Sequence, residues 1–329
     1  MVAAPAAETV SAALARVLAP PVQVEGLHRL SGGASRETWS FDALDGDGGR
    51  HALVLRRDPA GYSGHSDRST EYAIVVAARA AGVPVPAVRL LLEPSDDLGA
   101  GFVMERVEGE TIPRRILREA QFSGARARFA EQSGTIAARI HAVPVSSLPP
   151  LPVLGAREQL DQYRGLLDAF GEPHPTFELG LRWLAQRAPE RPAAPRLVHG
   201  DFRNGNFVVS PAGIVSVLDW ELAHLGDPVE DLGWLCVKSW RFGVAEQVVG
   251  GCGDVEDLLV AYERAGGVAP DVETLRWWTA LGTLKWGVIC IGQSLTHLNG
   301  VVRSVELAML GRRVAEMEWD LLAILDGGW

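Results

Sequence analysis

Three polar residues, Asp201, Asn206 and Asp219, combine types and spacings that suit phosphate chemistry. Asn206 follows Asp201 by five positions, on a stretch too rich in Gly and Asn to form a helix. Asp219 comes after two β-branched, apolar runs, 207–210 and 214–218, which flank Pro-Ala-Gly and predict a hairpin. Folding of that hairpin would return Asp219 to the side of Asn206. A carboxylate and an amide sharing a divalent cation, with a second carboxylate nearby, is the arrangement that phosphoryl transfer from a nucleotide requires.

Small residues near position 33 predict a tight turn between two strands. Gly32, Gly33 and Ser35 would allow successive backbone N–H groups to approach the oxygens of a phosphate. A Gly-Gly pair also suits an ordinary β-hairpin. The turn by itself therefore leaves both interpretations open.

The strand predicted over 51–57 ends in two arginines, and one of them should point inward because side chains alternate along a strand. A helix begins shortly afterwards and carries Glu71 in its first turn. An inward Arg56 paired with Glu71 would hold nucleotide phosphates. Since the two lysines of the chain are Lys238 and Lys285, a cationic phosphate contact in this N-terminal region must come from arginine.

A predicted strand is followed by a charged segment that contains glycine, at 108–110. This change indicates a hinge between two lobes over about 104–110. The backbone from Glu105 to Val107 would there offer an adenine ring both a donor and an acceptor. We therefore expect an α+β protein with an N-terminal, nucleotide-binding lobe at 1–107. This lobe would contain a small antiparallel sheet and one main helix, and a larger, mainly helical C-terminal lobe would span 108–329.

The C-terminal lobe carries the patterns expected of a helical scaffold. Helical periodicity runs from Arg114 to Val143, and Asp227-Pro228 with Glu230 predicts a capped helix start with a capping box. Six tryptophans are clustered in the sequence between Trp220 and Trp286. They suit either the wall of an acceptor pocket or helix packing, and packing is the favoured interpretation.

Composition sets further limits on function. The chain has 329 residues, a net charge of -10 and 22% charged residues, which fits an ordinary globular protein and argues against a nucleic-acid partner. Three cysteines without CxxC spacing are typical of buried thiols in a reducing compartment. The N-terminus lacks a signal-peptide pattern, and the apolar run at 277–291 is too short to span a bilayer. We expect a cytoplasmic protein with no membrane partner.

Taken together, these motifs resemble the aminoglycoside phosphotransferase family, which has a bilobal protein-kinase-like fold. The strongest match is H-G-D-x-x-x-x-N followed by I-V-S-V-L-D-W-E, and the similarity runs from about Leu27 to Trp234. V-L-R-R, the Glu71-Tyr72 helix and V-M-E-R-V-E-G are more similar to a subgroup. That subgroup includes the kinase-like domains associated with some acyl-CoA dehydrogenases, rather than the antibiotic-resistance enzymes.

The resemblance implies a role for each matched residue. Asp201 would orient the acceptor hydroxyl and accept its proton, while Asn206 and Asp219 would hold Mg²⁺ on the phosphates of ATP. His199 would brace the loop. Arg203 would stabilise charge that develops on the transferring phosphate. The implied activity is ATP-dependent phosphorylation of a hydroxyl on a small molecule.

Arg56 departs from the family pattern, because this strand position usually carries lysine. Arginine keeps the charge but has a bulkier, forked head, so the phosphate geometry must differ. A nucleotide-binding pseudokinase or regulatory protein with little turnover is therefore the alternative. Acceptor identity, the choice between ATP and GTP, and oligomeric state are not readable from the sequence.

Overall fold

The structure is a computed structural model that describes residues 4–30, 37–58 and 67–329. The predicted phosphate-binding residues Gly32, Gly33 and Ser35 lie outside the described residues. In the N-terminal lobe the described elements are α1 (Ala7–Leu14), β1 (Gln23–Arg29), β2 (Glu37–Leu44), β3 (Arg50–Arg57), α2 (Arg68–Ala80), β4 (Val88–Leu91) and β5 (Gly101–Glu105). The five strands form one sheet in the order β1-β2-β3-β5-β4, and every neighbouring pair is antiparallel.

The C-terminal lobe is mostly helical, with short strands around its loops. Its helices are α3 (Pro113–Arg118), α4 (Ser123–His141), α5 (Ala156–Phe170), α6 (Pro175–Gln186), α7 (Val229–Cys236), α8 (Val255–Arg264), α9 (Val272–Leu298), α10 (Val305–Leu310) and α11 (Val314–Leu325). Its strands are β6 (Val153–Leu154), β7 (Arg196–Val198), β8 (Phe207–Ser210), β9 (Gly213–Val217) and β10 (His224–Gly226). These elements confirm the predicted α+β class.

Most of the buried apolar side chains in the described residues belong to two hydrophobic cores. One lies between the sheet and α1 and contains Val10, Phe41 and Leu55. The larger core fills the helical lobe, and the apolar face of α2, with Ile74 and Val75, packs into it. Helix α2 therefore joins the two lobes, and the predicted boundary at 107/108 stays a prediction.

The predicted helix from Arg114 to Val143 is broken into separate pieces. Glu119 has extended backbone angles (φ -75°, ψ 136°) between α3 and the turn that leads into α4. The Arg126 guanidinium donates to the carbonyls of Ile116 (2.8 Å) and Glu119 (2.9 Å). These bonds satisfy carbonyls that an uninterrupted helix would have paired itself.

The predicted capping box at the start of α7 is wrong in one part. Asp227 does accept a hydrogen bond from the Val229 N–H at 2.9 Å, as a capping residue should, and α7 begins at Val229. Glu230, however, points away from the helix end into a buried cluster with His224 (3.1 Å) and Gln159 (2.6 Å). A buried partner outcompetes the local backbone bond, because a buried carboxylate needs charge compensation.

Packing accounts for most of the clustered tryptophans and for the cysteines. Trp220, Trp234, Trp240, Trp277 and Trp278 are buried. Cys236 and Cys290 are buried, Cys252 is half-buried, and all three are free thiols.

Within residues 4–30, 37–58 and 67–329, none of the helices combines the length and the apolar character needed to cross a bilayer.

Candidate active site

The predicted hairpin forms and brings two of the site residues together. Strands β8 and β9 pair antiparallel, with Phe207 opposite Val217. Just beyond that pair, the Leu218 N–H donates to the Asn206 carbonyl at 2.8 Å. Asp219 is the next residue, so the end of the hairpin places it beside Asn206.

Buried side chains from two helices fix the backbone of the loop before Asp201. The Asp231 carboxylate accepts from the His199 N–H (2.8 Å) and the Gly200 N–H (3.0 Å). Lys285, from α9, donates to the Gly200 carbonyl at 3.0 Å. Gly200 has φ +79°, and a Cβ there would lie 2.5 Å from the Leu222 carbonyl oxygen, so the turn requires glycine.

His199 links the two loops of the site. Its Nδ1 accepts from the Asp201 N–H at 3.2 Å, which leaves Nε2 to donate to the Leu218 carbonyl at 3.0 Å. Burial lowers the pKa of His199, and the nearby Asp231 only partly opposes this. A neutral imidazole with both nitrogens engaged braces the loops, as expected, and is not placed to act as a base.

The Asp201 carboxylate is held in one orientation by three donors. Its Oδ1 accepts from the Trp234 indole N–H (2.7 Å) and from Arg203 Nε (2.9 Å). Its Oδ2 accepts from Asn206 Nδ2 at 2.6 Å. Only 15% of the side chain is exposed. Since Oδ1 carries two of these bonds, Oδ2 is the oxygen with more remaining acceptor capacity.

Arg203 is positioned by stacking as well as by its bond to Asp201. Its guanidinium carbon lies 4.3 Å from the ring centroid of Trp240. Stacking of this kind restricts the rotamers of a long side chain. The charge of Arg203 is therefore fixed at the edge of the loop that carries Asp201.

Asp219 has a strained backbone and an ion pair that crosses between the lobes. Its φ is +68°, a left-handed conformation that non-glycine residues rarely adopt and that is concentrated at functional sites. Arg56 of β3 forms a hydrogen-bonded ion pair with the Asp219 carboxylate and lies 3.8 Å from Glu221. Burial opposes the charge of Arg56, but the carboxylates of Glu71, Asp219 and Glu221 outweigh it and raise its pKa.

The donor chemistry at Asn206 and Asp219 fits magnesium. Asn206 donates its amide N–H to Asp201, so its side-chain oxygen, which accepts no hydrogen bond from the described residues, can serve as a ligand atom. Among the described residues, no cluster of three or more His, Cys, Asp or Glu side chains forms a self-sufficient metal site. Mg²⁺ is usually bound through one or two protein oxygens together with substrate phosphates, so this sparse oxygen set is appropriate.

Glu71 is buried and shared between two arginines. Arg56 Nε lies 3.5 Å from Glu71, which agrees with the predicted pair. Arg68, one turn earlier on α2, also hydrogen-bonds Glu71, and its Nε donates to Asp58 at 2.8 Å. Glu71 is therefore held by α2 itself as well as by the strand.

The predicted adenine-binding backbone lies where β5 leaves the sheet. The Glu105 N–H donates to Ala87 (2.8 Å) and the Arg106 N–H donates to Ala52 (2.9 Å). Among the described residues, no hydrogen-bond acceptor lies opposite the Val107 N–H. The amide at Val107 is thus the first of this segment that the sheet does not use.

Sequence reasoning did not identify three residues that contribute to the site, namely Trp234, Lys285 and Arg68. Asp231 and Trp234 lie three positions apart on α7, so the same helix face reaches both the loop backbone and Asp201. That spacing was a usable signal for Trp234. The signal for Lys285 was weaker: it is the lone charge inside the apolar run 277–291, where an unpaired ammonium would be costly.

Comparison with known proteins decides the family. A family model described as the phosphotransferase enzyme family matches residues 26–278. The chain belongs to this family. The resemblance inferred from the HGD and LDW motifs is confirmed.

The curated relatives of this chain are longer proteins, and the chain matches only a part of each. Acyl-CoA dehydrogenase family member 10 of Mus musculus is 30% identical over 297 residues, which is 82% of this chain and 27% of the relative. Acyl-CoA dehydrogenase family member 11 of Gallus gallus is 28% identical over 334 residues, covering 92% of this chain and 41% of the relative. The chain thus spans between about a quarter and two fifths of these relatives. The predicted subgroup is confirmed.

Solved structures show the same fold along nearly the whole chain. A candidate aminoglycoside phosphotransferase of Ralstonia eutropha has a TM-score of 0.76 at 22% identity, covering 97% of this chain and 98% of that one. Spectinomycin phosphotransferase has a TM-score of 0.66 at 12% identity, covering 98% and 99%. The chain therefore has the kinase-like fold expected of the family.

Proposed function

We propose that this phosphotransferase moves the γ-phosphate of ATP to a hydroxyl group of a small molecule. The observation that carries the proposal is the Asp201 carboxylate, which three donors hold in one orientation beside Asn206 and Asp219. A fixed carboxylate next to an oxygen donor set is suited to orienting an acceptor and taking its proton.

ATP and Mg²⁺ are the cofactors that this geometry favours. Structures of the same fold hold AMP-PNP with hygromycin B, or ADP with spectinomycin. Here Arg56 and Glu71 would flank the phosphates, Glu105 and Val107 would meet the adenine, and Gly32, Gly33 and Ser35 would cover the phosphate chain. Asn206 and Asp219 would hold magnesium, which when bound neutralises the charge on the phosphates.

In the proposed step, the acceptor hydroxyl hydrogen-bonds to Oδ2 of Asp201. Its oxygen forms a bond to the γ-phosphorus while the bond from phosphorus to the ADP oxygen breaks, and the hydroxyl proton passes to Oδ2. Arg203, held against Trp240, faces the negative charge that is redistributed in this step. Protonated Asp201 then releases its proton to solvent.

The test is Mg-ATP turnover over a panel of hydroxylated metabolites, with Asp201→Asn as the matched variant. The amide keeps the size of the side chain but cannot accept the proton, so we expect kcat to fall by about 10²–10⁴. ATP binding, measured by calorimetry, should stay within about twofold of the wild type. Equal turnover by both proteins would show that Asp201 is not the base.

A nucleotide-binding regulator with little turnover is the second candidate. The ion pair between Arg56 and Asp219 favours it, because a fixed cation occupies part of the carboxylate that would hold magnesium. This candidate predicts that ATP raises the melting temperature although no phosphorylated product accumulates. Detection of product with any panel member, lost in Asp201→Asn, excludes it.

We further propose that the protein acts in the cytoplasm on small molecules, without a nucleic-acid or membrane partner. Three free cysteines support a reducing compartment. The net charge of -10 is unfavourable for binding a nucleic-acid backbone. Fractionation of cells that express the full natural protein would test the location.

A further inference from the structure

A large cavity lies in the C-terminal lobe, between α3, the segment after α7, and helices α10 and α11. Its volume is about 1140 Å³, which can accommodate a ligand of metabolite size or larger. Apolar side chains form part of its wall, among them Phe242, Met309, Leu310 and Trp319. Trp319 is 71% exposed and Met309 50% exposed, so this apolar surface faces open space.

The cavity is positively charged although the protein is acidic. Six cationic side chains line it, against three carboxylates from Glu306, Glu316 and Asp320. The six are Arg114, Arg118, Lys238, Arg241, Arg312 and Arg313. Lys238 pairs with Asp320 (2.7 Å) and Arg313 pairs with Glu316 (3.2 Å). Within the described part of the chain, the other four cations have no carboxylate within ion-pairing distance.

Arg241 is the most unusual of these cations, because it is buried. Only 2% of the residue is exposed, and its guanidinium donates to the carbonyls of Cys236 (2.8 Å) and Ala245 (2.9 Å). Burial lowers the pKa of Arg241, and the nearby Cys236 and Asp320 only partly oppose that effect. A buried cation held by neutral carbonyls at a cavity wall is better stabilised when an anion enters the cavity.

The backbone at this wall is strained as well. Phe242 has φ +46°, a left-handed conformation that costs a bulky residue roughly 1–3 kcal/mol. The strained turn keeps Arg241 in the wall and Phe242 beside it. Strain retained at a cavity wall is a feature of ligand sites.

Two contacts connect the cavity to the catalytic loop. Arg203 stacks on Trp240, whose sequence neighbours Ser239 and Arg241 both line the cavity. On the other side, a Cβ on Gly205 would lie 3.5 Å from Pro113, and the next residue, Arg114, lines the cavity. The cavity wall therefore adjoins the residues that contact Arg203 and Gly205, and Arg203 in turn donates to Asp201 at 2.9 Å.

We propose that this cavity receives the acceptor and that the acceptor is an anion. It would be a hydroxylated molecule that carries a carboxylate or phosphate group next to an apolar segment. The anionic group would lie among the unpaired arginines, and the apolar segment would contact Phe242, Leu310 and Trp319. A polycationic acceptor such as an aminoglycoside would meet like charge there. This inference rests on the proposed function, because it assigns the acceptor of that reaction.

The experiment is calorimetric binding with four probes, which requires no turnover. The probes are 10-hydroxydecanoate, 10-hydroxydecyl phosphate, the uncharged 1,10-decanediol, and kanamycin as the cation. We expect one or both anions to bind at least about tenfold more tightly than the diol, and kanamycin not to bind. The two anions distinguish a carboxylate site from a phosphate site.

The matched variant is the double substitution Arg118→Gln and Arg312→Gln, since both residues are exposed and their loss should not disturb folding. It should weaken anion binding by about fivefold or more and leave diol binding unchanged. Arg157→Gln, an exposed arginine on α5 outside the cavity, is the control and should bind like the wild type.

Three results would overturn the assignment: no binding of either anion, equal binding of the diol, or no effect of the double variant. Anion binding without phosphorylation of any acceptor would leave the cavity assignment intact and contradict the proposed reaction. Phosphorylation of a cationic or neutral acceptor in preference to the anions would support the proposed reaction and contradict the cavity assignment.

Discussion

Trp234 places an indole N–H 2.7 Å from Oδ1 of Asp201, from inside helix α7. The ammonium of Lys285 lies 4.6 Å from the centroid of the same ring. A cation at the ring face draws electron density from the indole and strengthens its N–H as a donor. Trp234 is therefore placed to hold the carboxylate of Asp201, the proposed base, in one orientation.

Substitution of Trp234 by Phe should lower kcat by about tenfold, with the KM for ATP nearly unchanged. The ring volume is mostly kept, while the lost donor frees Asp201 to rotate, and one hydrogen bond to a charged group is worth about 1.5–3 kcal/mol. Steady-state kinetics with an acceptor that the wild-type protein phosphorylates measures this change in kcat.

Trp277→Phe is the matched control, because Trp277 is also buried and donates to a backbone carbonyl, that of Leu184, at 3.0 Å. Both variants should lose a similar amount of thermal stability, but Trp277→Phe should keep kcat. An equal fall of kcat in both would mean that Trp234 acts through general stability alone.

Residues that lie close together in the sequence were predictable, and long-range partners were not. Asp201, Asn206 and Asp219 fall within one loop–hairpin unit, so turn and strand patterns were enough to bring them together. The pair formed by Arg56 and Asp219 joins positions 163 apart. Periodicity contains no information on which of several acidic residues such an arginine will reach.

One buried cluster of polar side chains joins four secondary-structure elements of the C-terminal lobe. Glu230 of α7 contacts His224 of β10 (3.1 Å), Gln159 of α5 (2.6 Å) and Lys285 of α9 (3.6 Å). Burial would lower the pKa of His224, but the charge and hydrogen bond of Glu230 outweigh it and raise that pKa. Burial would raise the pKa of Glu230, but His224 and Lys285 lower it.

The raised pKa of His224 predicts a pH-dependent stability. The contribution is fully present below the ordinary pKa of 6.5 and is lost as pH rises through the higher folded value. The lowered pKa of Glu230 adds stability above its ordinary 4.5, which is lost on acidification. We therefore expect the free energy of unfolding to fall by about 1–3 kcal/mol above pH 6.5.

Urea unfolding at several pH values above 6.5 checks this with two variants. His224→Gln should abolish most of the fall, because glutamine can donate to Glu230 but does not titrate. His28→Gln, at an exposed histidine of β1, should behave like the wild type. His199 does not interfere in this range, since its lowered pKa acts on stability only as pH falls. A slope that persists in His224→Gln would assign the effect to another group.

Local sequence patterns explain which elements were predicted well, and the buried cluster around Glu230 explains one that was not. Strand β3 and the β8–β9 hairpin follow local alternation and turn residues, and they form close to the positions predicted for them, 51–57, 207–210 and 214–218. The predicted capping box does not form, although Glu230 stands at the right position for one. Glu230 bonds to buried side chains instead, and only the folded structure shows which of the two interactions prevails. The helical pattern up to Val143 is interrupted at Glu119, where Arg126 satisfies the carbonyls at the break.

At the scale of the whole molecule, Arg56 connects the lobes through charge. It extends from β3 of the N-terminal lobe to Asp219 and Glu221 of the C-terminal lobe, and it also lies 3.5 Å from Glu71 on α2. The sheet and the helical lobe have separate cores, so this ion pair adds an electrostatic contact between them to the apolar packing of α2. A divalent cation on Asp219 must share that carboxylate with Arg56.

Replacement of Arg56 by Met should change metal and nucleotide binding in opposite directions. Without the guanidinium, Asp219 loses a competing cation, so Mn²⁺ alone should bind about tenfold more tightly, as judged by electron paramagnetic resonance. ATP should bind about tenfold more weakly by calorimetry, because the same guanidinium faces the phosphates. Arg50→Met, an exposed arginine on the same strand that pairs with Asp42 at 2.6 Å, should alter neither affinity. If Mn²⁺ affinity stays constant in Arg56→Met, the Asp219 carboxylate is not the metal ligand, and the arginine at this strand position serves the nucleotide alone.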